Sequence, residues 1–368
     1  MIPKNIQNIA PEIPYIPSSP ISNWGKPEDF DSGDNHDWRV WHGEMHPDVF
    51  YTHIPRFASE FGAPSLPSVT VLEEYFQKQV SEIRENELQA LVYSYKGWRL
   101  LKKYIEQEYG TINSTEAWIY FSQHFQAEAM QKAIESHRFN PARCGGSLVW
   151  QLNDIDPVIS WSLFDKNNIA KQAWYSVQKN FASSLLYFKN TTDSIQLWYA
   201  AKEGSEEEIR IRFMHRDGIV YSDQKQKVRS NANPICIAQF AKNDLHSKGN
   251  LDEIFLVAQL PQQAYQSPRT KIQLFVPFQK FRWKKQDIEI IPTENQNHFV
   301  LKSSSLQGSV YMPLPKNLHP NYTPYVLNRF DLIPGDSLIM ELPLPQGISI
   351  SEFTKTWKSL NYFYSTKM

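Results

Sequence analysis

The chain has 368 residues, with 38 basic and 39 acidic side chains and a net charge of −1. That balance gives a phosphate backbone no electrostatic footprint, and the basic pairs, such as Lys284-Lys285, are short and isolated, so no nucleic-acid partner is expected. No apolar run approaches the roughly 18 residues that a membrane span needs, so no membrane partner is expected either. The two cysteines, Cys144 and Cys236, lie far apart and have no ligand-spaced neighbours. They exclude a disulfide framework and a thiolate zinc site, and they fit a reducing compartment, which favours the cytoplasm. The opening MIPKNIQN lacks the long apolar region of a secretory leader.

In chain order, short apolar strands alternate with helices through residue 181. PYIPSS (Pro14 to Ser19), WRVWHG (Trp38 to Gly43) and RFASEFG (Arg56 to Gly62) read as strands. A helical region follows over Glu85 to Gly110, with Leu88, Leu91, Val92 and Tyr95 at helical spacing and Gly110 as its stop. Ser114 or Thr115 caps a further helix that runs towards Phe139, and Pro141 closes it. GGSLVWQLND (Gly145 to Asp154) reads as a fourth strand. Strands joined through helices are the pattern of a parallel sheet. Four strands are too few for a closed eight-stranded barrel, which takes about 250 residues. Residues 1–181 are therefore expected to be a small open sheet or part of a barrel.

Beyond Ala182 the pattern becomes all-β. SIQLWYAA, EEIRIRFMHRDG, EIFLVAQL, TKIQLFVPF, DIEIIP and SLIMELPL are strand-like, and Asp217-Gly218 marks a hairpin turn. Two sandwich domains are expected, over residues 182–277 and 278–368.

Unusual polar and aromatic side chains gather at the candidate strand ends. His36 and Trp38 flank the second strand, Glu60 ends the third, and Trp150, Gln151, Asn153 and Asp154 end the fourth. Flat rings, amides and a carboxylate suit a sugar, which offers an apolar face and a rim of hydroxyls. Tryptophan is abundant, with 11 in the chain, although most of these belong in cores. Glu60 is open to two readings: a nucleophile for an anomeric carbon, or a structural carboxylate paired with Arg56 or His53 or capping a helix. A retaining glycosidase needs two carboxylates about 5–5.5 Å apart. Asp154 and Asp156 lie in a turn-like NDIDP segment and are weaker candidates. Asp34 with His36 lacks metal-ligand spacing, and His42 with His46 cannot form an HExxH helix across Gly43 and Pro47, so no metal is expected.

Several segments together resemble the β-mannosidases of glycoside hydrolase family 2. They are YIPSSP at 15–20, GDNHDWRVWHG at 33–43, PRFASEFGAPSLPS at 55–68, GSLVWQLNDIDPVISW at 146–161 and TPYVLNRFDLIPGD at 323–336. The resemblance implies a partial (β/α)8 barrel carrying strands five to eight, followed by two immunoglobulin-like sandwich domains. It places Glu60 as the nucleophile at the end of the seventh strand. His36 and Trp38 line the sugar pocket, Trp150 lies under the sugar, and Gln151, Asn153 and Asp154 stand beside it. It implies removal of β-linked mannose from non-reducing ends with retention, without a cofactor. The family's acid/base glutamate ends the fourth strand, which would precede Met1. A partner supplying that half, or a homo-oligomer, is therefore expected, with a β-mannoside or related glycan as substrate.

Two positions depart from the family pattern. Pro64 stands where the family has Gln, removing a backbone donor, and Asp156 stands where it has Trp. Three readings follow: a half-enzyme completed by another segment, a decayed or repurposed glycan-binding or interaction protein, and an exo-glycosidase for another sugar.

Overall fold

A computed structural model describes residues 2–261, 269–285, 287–295, 298–312, 328–341 and 349–364. A short helix, α1 (Ile2–Ile9), opens the chain and buries none of its residues. Two three- and four-residue strands, β1 (Asn35–Asp37) and β2 (Ala58–Phe61), pair in parallel, with His36 opposite Glu60. Parallel bridges extend the pair on both sides, Ser22 to Asn35 and Ala58 to Ser147. Four chain segments thus run side by side in sequence order.

The sequence expectations need correction at three places here. Pro14 to Ser19 is not a strand. Its prolines cannot donate to a ladder, and the pairing segment begins later, at Ser22, whose N–H donates to the Asp34 carbonyl at 3.0 Å. Trp38 to Gly43 is a turn rather than a strand: the N–H groups of His42 and Gly43 both return to the Trp38 carbonyl. Over Gly145 to Asp154 there is no continuous strand: Ser147 alone bridges to β2, although Leu148 and Trp150 each donate to β2 carbonyls, and Asn153 bridges instead to Phe164.

Helices pack behind this array. Ser68 caps α2 (Val69–Phe76), accepting from the Val71 N–H. The expected single helix over 85–110 is two, α3 (Glu85–Gln89) and α4 (Gly97–Tyr109), interrupted by turns and a Gly97 at φ +66. Gly110 ends α4 at φ +79, a conformation that suits glycine. The Ser114 hydroxyl accepts from Ala117 to start α5 (Thr115–Arg138), which is buried along most of its 24 residues. An additional helix, α6 (Gln172–Asn180), lies against it.

The β-rich region follows with antiparallel pairing throughout. Strands β3 (Ser184–Asn190), β4 (Ser194–Ala201) and β7 (Ile235–Ala241) form one sheet in the order β3-β4-β7. Strands β5 (Glu206–His215), β6 (Val220–Arg229), β8 (Ile254–Gln259) and β9 (Thr270–Leu274) form another, in the order β6-β5-β8-β9. A core of Leu186, Leu197, Ile209, Ile211 and Leu256 fills the space between them. The unbroken apolar run IFLVA in β8 has a physical reason. Ile254, Leu256 and Ala258 face that core, whereas Phe255 and Val257 join the core of the helical region. A strand covered on both faces reads as continuous rather than alternating.

A further sheet has the order β10-β11-β14, over Glu289–Pro292, His298–Lys302 and Leu338–Glu341. Strands β12 (Gln307–Val310) and β13 (Phe330–Leu332) pair beside it. Leu301, Val310, Phe330, Met340 and Trp357 form their shared core. Of the segment at 323–336, residues 323–327 lie outside the described residues. The architecture is thus mixed helix and sheet, followed by sandwich-like antiparallel sheets. Among the described residues, no helix is long and apolar enough to cross a membrane.

Candidate active site

Glu60 sits near the end of β2 with its side chain 20% exposed. Its Oε2 accepts a hydrogen bond from Trp38 Nε1 at 3.1 Å, and His36 Nδ1 stands 3.2 Å from the same oxygen. The parallel register explains the meeting: His36 is opposite Glu60 across the ladder, and the chain turns just beyond β1 to bring Trp38 over it. Among the described residues Oε1 takes no hydrogen bond, so one oxygen is anchored and the other is open. Neither Arg56 nor His53, the sequence alternatives, bonds to this carboxylate.

The His36 ring is held from its other side, with Nε2 3.2 Å from the Ser19 hydroxyl. That hydroxyl donates to Asp34 at 2.5 Å, and Ser59 donates to the same carboxylate at 2.6 Å. The Ile21 N–H adds a third donor at 2.9 Å. Burial alone would raise the Asp34 pKa, but these donors outweigh it and hold the carboxyl below its usual range. Asp34 is therefore ionised at neutral pH and has no proton to give.

Beside Glu60 runs the segment of Trp150. Trp150 N–H donates to the Phe61 carbonyl at 3.0 Å, and its side chain is 42% exposed. The Trp150–Gln151 peptide is cis. Gln151 donates to the Asn153 carbonyl and to Asp154 Oδ1, both at 3.3 Å, and Asn153 is exposed. Asp154 differs from the others, being 7% exposed with its carboxylate turned inward. The Ser160 and Ser162 hydroxyls donate to its Oδ2 at 2.6 and 2.5 Å, and Lys171 Nζ lies 3.7 Å away. Its geometry suits orienting Gln151 rather than touching a ligand. Asp156 is exposed, so its charge is solvated.

Residues that no local motif marked hold this site together. The loop after Glu60 is tied to α5, where Ser65 donates to Gln126 at 2.7 Å and Gln123 donates to the Leu66 carbonyl at 3.0 Å. Gln126 also donates to the Trp161 carbonyl at 2.9 Å. The Trp161 ring meets Trp38 edge-on, with centroids 5.8 Å apart, and so backs the indole that holds Glu60. Polar side chains on a buried helix signal such ties, but their partners lie far away in sequence. Among the described residues no group of three His, Cys, Asp or Glu side chains gathers as metal ligands.

No family model matches the chain. It is 32% identical over 184 residues to β-mannosidase B of Emericella nidulans, a match covering 49% of this chain and 22% of that protein. The same protein of Aspergillus oryzae is 30% identical over 184 residues, with the same shares of 49% and 22%. In three dimensions, 97% of the chain superimposes on 43% of a β-D-mannosidase from Dictyoglomus thermophilum, with a TM-score of 0.78 and 21% identity. The chain is related to the β-mannosidases of glycoside hydrolase family 2. An exo-chitosanase from Amycolatopsis orientalis shares the fold more distantly, with a TM-score of 0.59 and 12% identity, over 89% of this chain and 44% of that one. The chain spans less than half the length of the relatives it matches.

Proposed function

We propose that this chain carries the nucleophile half of a retaining β-mannosidase-type site, with Glu60 attacking the anomeric carbon of a β-mannoside. The observation that carries the reading is the anchoring of Glu60, with Oε2 held by Trp38 and His36 and Oε1 open. A nucleophilic carboxylate needs one oxygen positioned and the other free to form the glycosyl ester. Trp150 offers an exposed ring beside it, and Gln151, oriented by Asp154, offers an amide for hydroxyls.

The second carboxylate of a retaining mechanism must arrive protonated and lie about 5–5.5 Å from the first. Asp34 is held ionised by three donors, and Asp154 is enclosed by Ser160, Ser162 and Lys171. Neither fits the role. Following the family resemblance, the acid/base is read as supplied by polypeptide outside these 368 residues, either preceding them in a longer chain or on a separate one. The four parallel segments, ending at Ser22 on one side and Ser147 on the other, are read as staves five to eight of a barrel. Sheet edges of this kind seek a partner. Exposed Leu148, Leu152 and Ile155 lie along one edge and Ile21 along the other, where the remaining staves would pack. The antiparallel regions after residue 182 and after residue 278 serve as supporting domains.

A second reading, a glycan-binding protein without turnover, is favoured by Pro64. It is buried in the loop tied to α5 and lacks the N–H that most residues would offer there.

An assay of the 368-residue chain on an aryl β-mannoside and on β-linked mannobiose separates the readings. General-acid help is worth about 10²–10⁴-fold. The expected result is slow release of the activated aryl group, with mannobiose cleavage lower by that factor and restored when a segment carrying staves one to four is added. Equal, rapid turnover of both by the chain alone would contradict the missing acid. Sugar binding without release of either leaving group would favour the second reading.

A further inference from the structure

A row of aromatic side chains runs from Glu60 to the surface. Trp38, which donates to Glu60, meets His42 edge-on with centroids 5.5 Å apart and planes at 70°. His42 stacks on Tyr95 at 5.6 Å with planes 6° apart, and its Nδ1 lies 3.0 Å from the Tyr95 hydroxyl. Tyr95 is 77% exposed. A surface tyrosine ordinarily swings freely, but here both ring and hydroxyl are fixed by His42. The Lys96 ammonium flanks the ring at 5.3 Å and is itself tied to Glu44 at 3.0 Å.

We propose that the His42–Tyr95 pair is a second sugar subsite, the platform for the pyranose that follows the one held at Glu60. The ligand class is a neutral β-linked oligosaccharide. A pyranose ring presents an apolar C–H face to an aromatic plane and hydroxyls to its rim. The row supplies aromatic planes with polar tips: the imidazole, the phenol and the Lys96 ammonium. Burial, and then the Lys96 charge, hold the His42 pKa below its usual value. The ring is neutral at neutral pH and able to keep its bond to Tyr95. The subsite rests on the reading of Glu60 as the nucleophile, since it takes its direction from that carboxylate.

The test is a ligand-observed NMR titration of the 368-residue chain with mannose and with β-1,4-mannobiose. In the wild type, mannobiose is expected to bind about five- to tenfold more tightly than mannose, the scale of one aromatic contact. Tyr95→Ala abolishes that ratio and leaves mannose unchanged, while Tyr95→Phe keeps most of it. Because Tyr95 is exposed, neither substitution threatens the fold. A ratio unchanged in Tyr95→Ala overturns the platform alone, provided that mannose still binds and Trp38→Ala weakens it. Failure of both sugars to bind the wild-type chain overturns the platform together with the reading of Glu60 beneath it.

Discussion

Gly62 ties the nucleophile strand to the Trp150 segment, and Gly62→Ala tests that tie. Its backbone carries no positive φ, so the substitution acts by space alone. A Cβ there would lie 2.4 Å from the Trp150 carbonyl oxygen and 3.0 Å from Trp161 Cδ1. Ordinary contact begins at 3.4 Å, so the two chain segments must part by about 1 Å, a displacement that costs about 10²-fold where reacting groups depend on position. Overpacking of a filled site adds about 1–3 kcal/mol of destabilisation. A suitable assay is covalent labelling by 2-deoxy-2-fluoro-β-mannosyl fluoride, followed by intact mass. Fluoride departs without a proton, so the reagent needs only the nucleophile. Gly62→Ala should label about a hundredfold more slowly and show a lowered denaturation midpoint. Labelling at the wild-type rate in a destabilised Gly62→Ala protein would refute the coupling between this contact and Glu60.

Two further substitutions probe the anchoring and the scaffold. Trp38→Phe keeps a ring but removes the N–H donor to Glu60, and hydrogen bonds to charged groups contribute about 1.5–3 kcal/mol. Labelling is therefore expected to slow roughly ten- to a hundredfold, with the urea midpoint lowered as well. In the scaffold, Arg329 Nη2 lies 2.5 Å from Glu128 Oε1, joining α5 to the start of β13. Burial would raise the Glu128 pKa, but Arg329 and neighbouring cations outweigh it and bring it to about 2. Glu128→Gln leaves a mostly buried guanidinium unpaired and should cost about 2–4 kcal/mol at pH 7, read by urea denaturation. The folded pKa is depressed, so the pair's contribution is complete above the unfolded value and fades as pH falls towards 2. The gap between wild type and variant should therefore narrow between about pH 5 and pH 2. A gap independent of pH would remove Glu128 ionisation from the explanation.

The features readable from sequence were those with local causes. Gly110 and Ser114 mark helix ends through their own backbone and side chain, and Asp217-Gly218 turns β5 into β6 within a few residues. Glu60 stood out because a carboxylate interrupts an apolar strand. Composition misled where a non-local partner decides the conformation. Tyr15 and Ile16 look strand-like, yet the prolines around them leave too few donors for pairing. Trp38 to Gly43 has strand composition, but its N–H groups close a turn that brings Trp38 onto Glu60. Tyr95 has the spacing of a long helix face, whereas it stands in the break between α3 and α4 and stacks on a residue 53 positions away. Gln123 and Gln126 gave no local signal, because what they hold lies about 60 residues earlier.

Peptide mapping of the fluoro-mannosyl adduct tests the assignment of the nucleophile most directly. One ester is expected, on the peptide containing Glu60, absent from Glu60→Gln protein that binds mannose as the wild type does. An adduct on another carboxylate, or one that persists in Glu60→Gln, would contradict it.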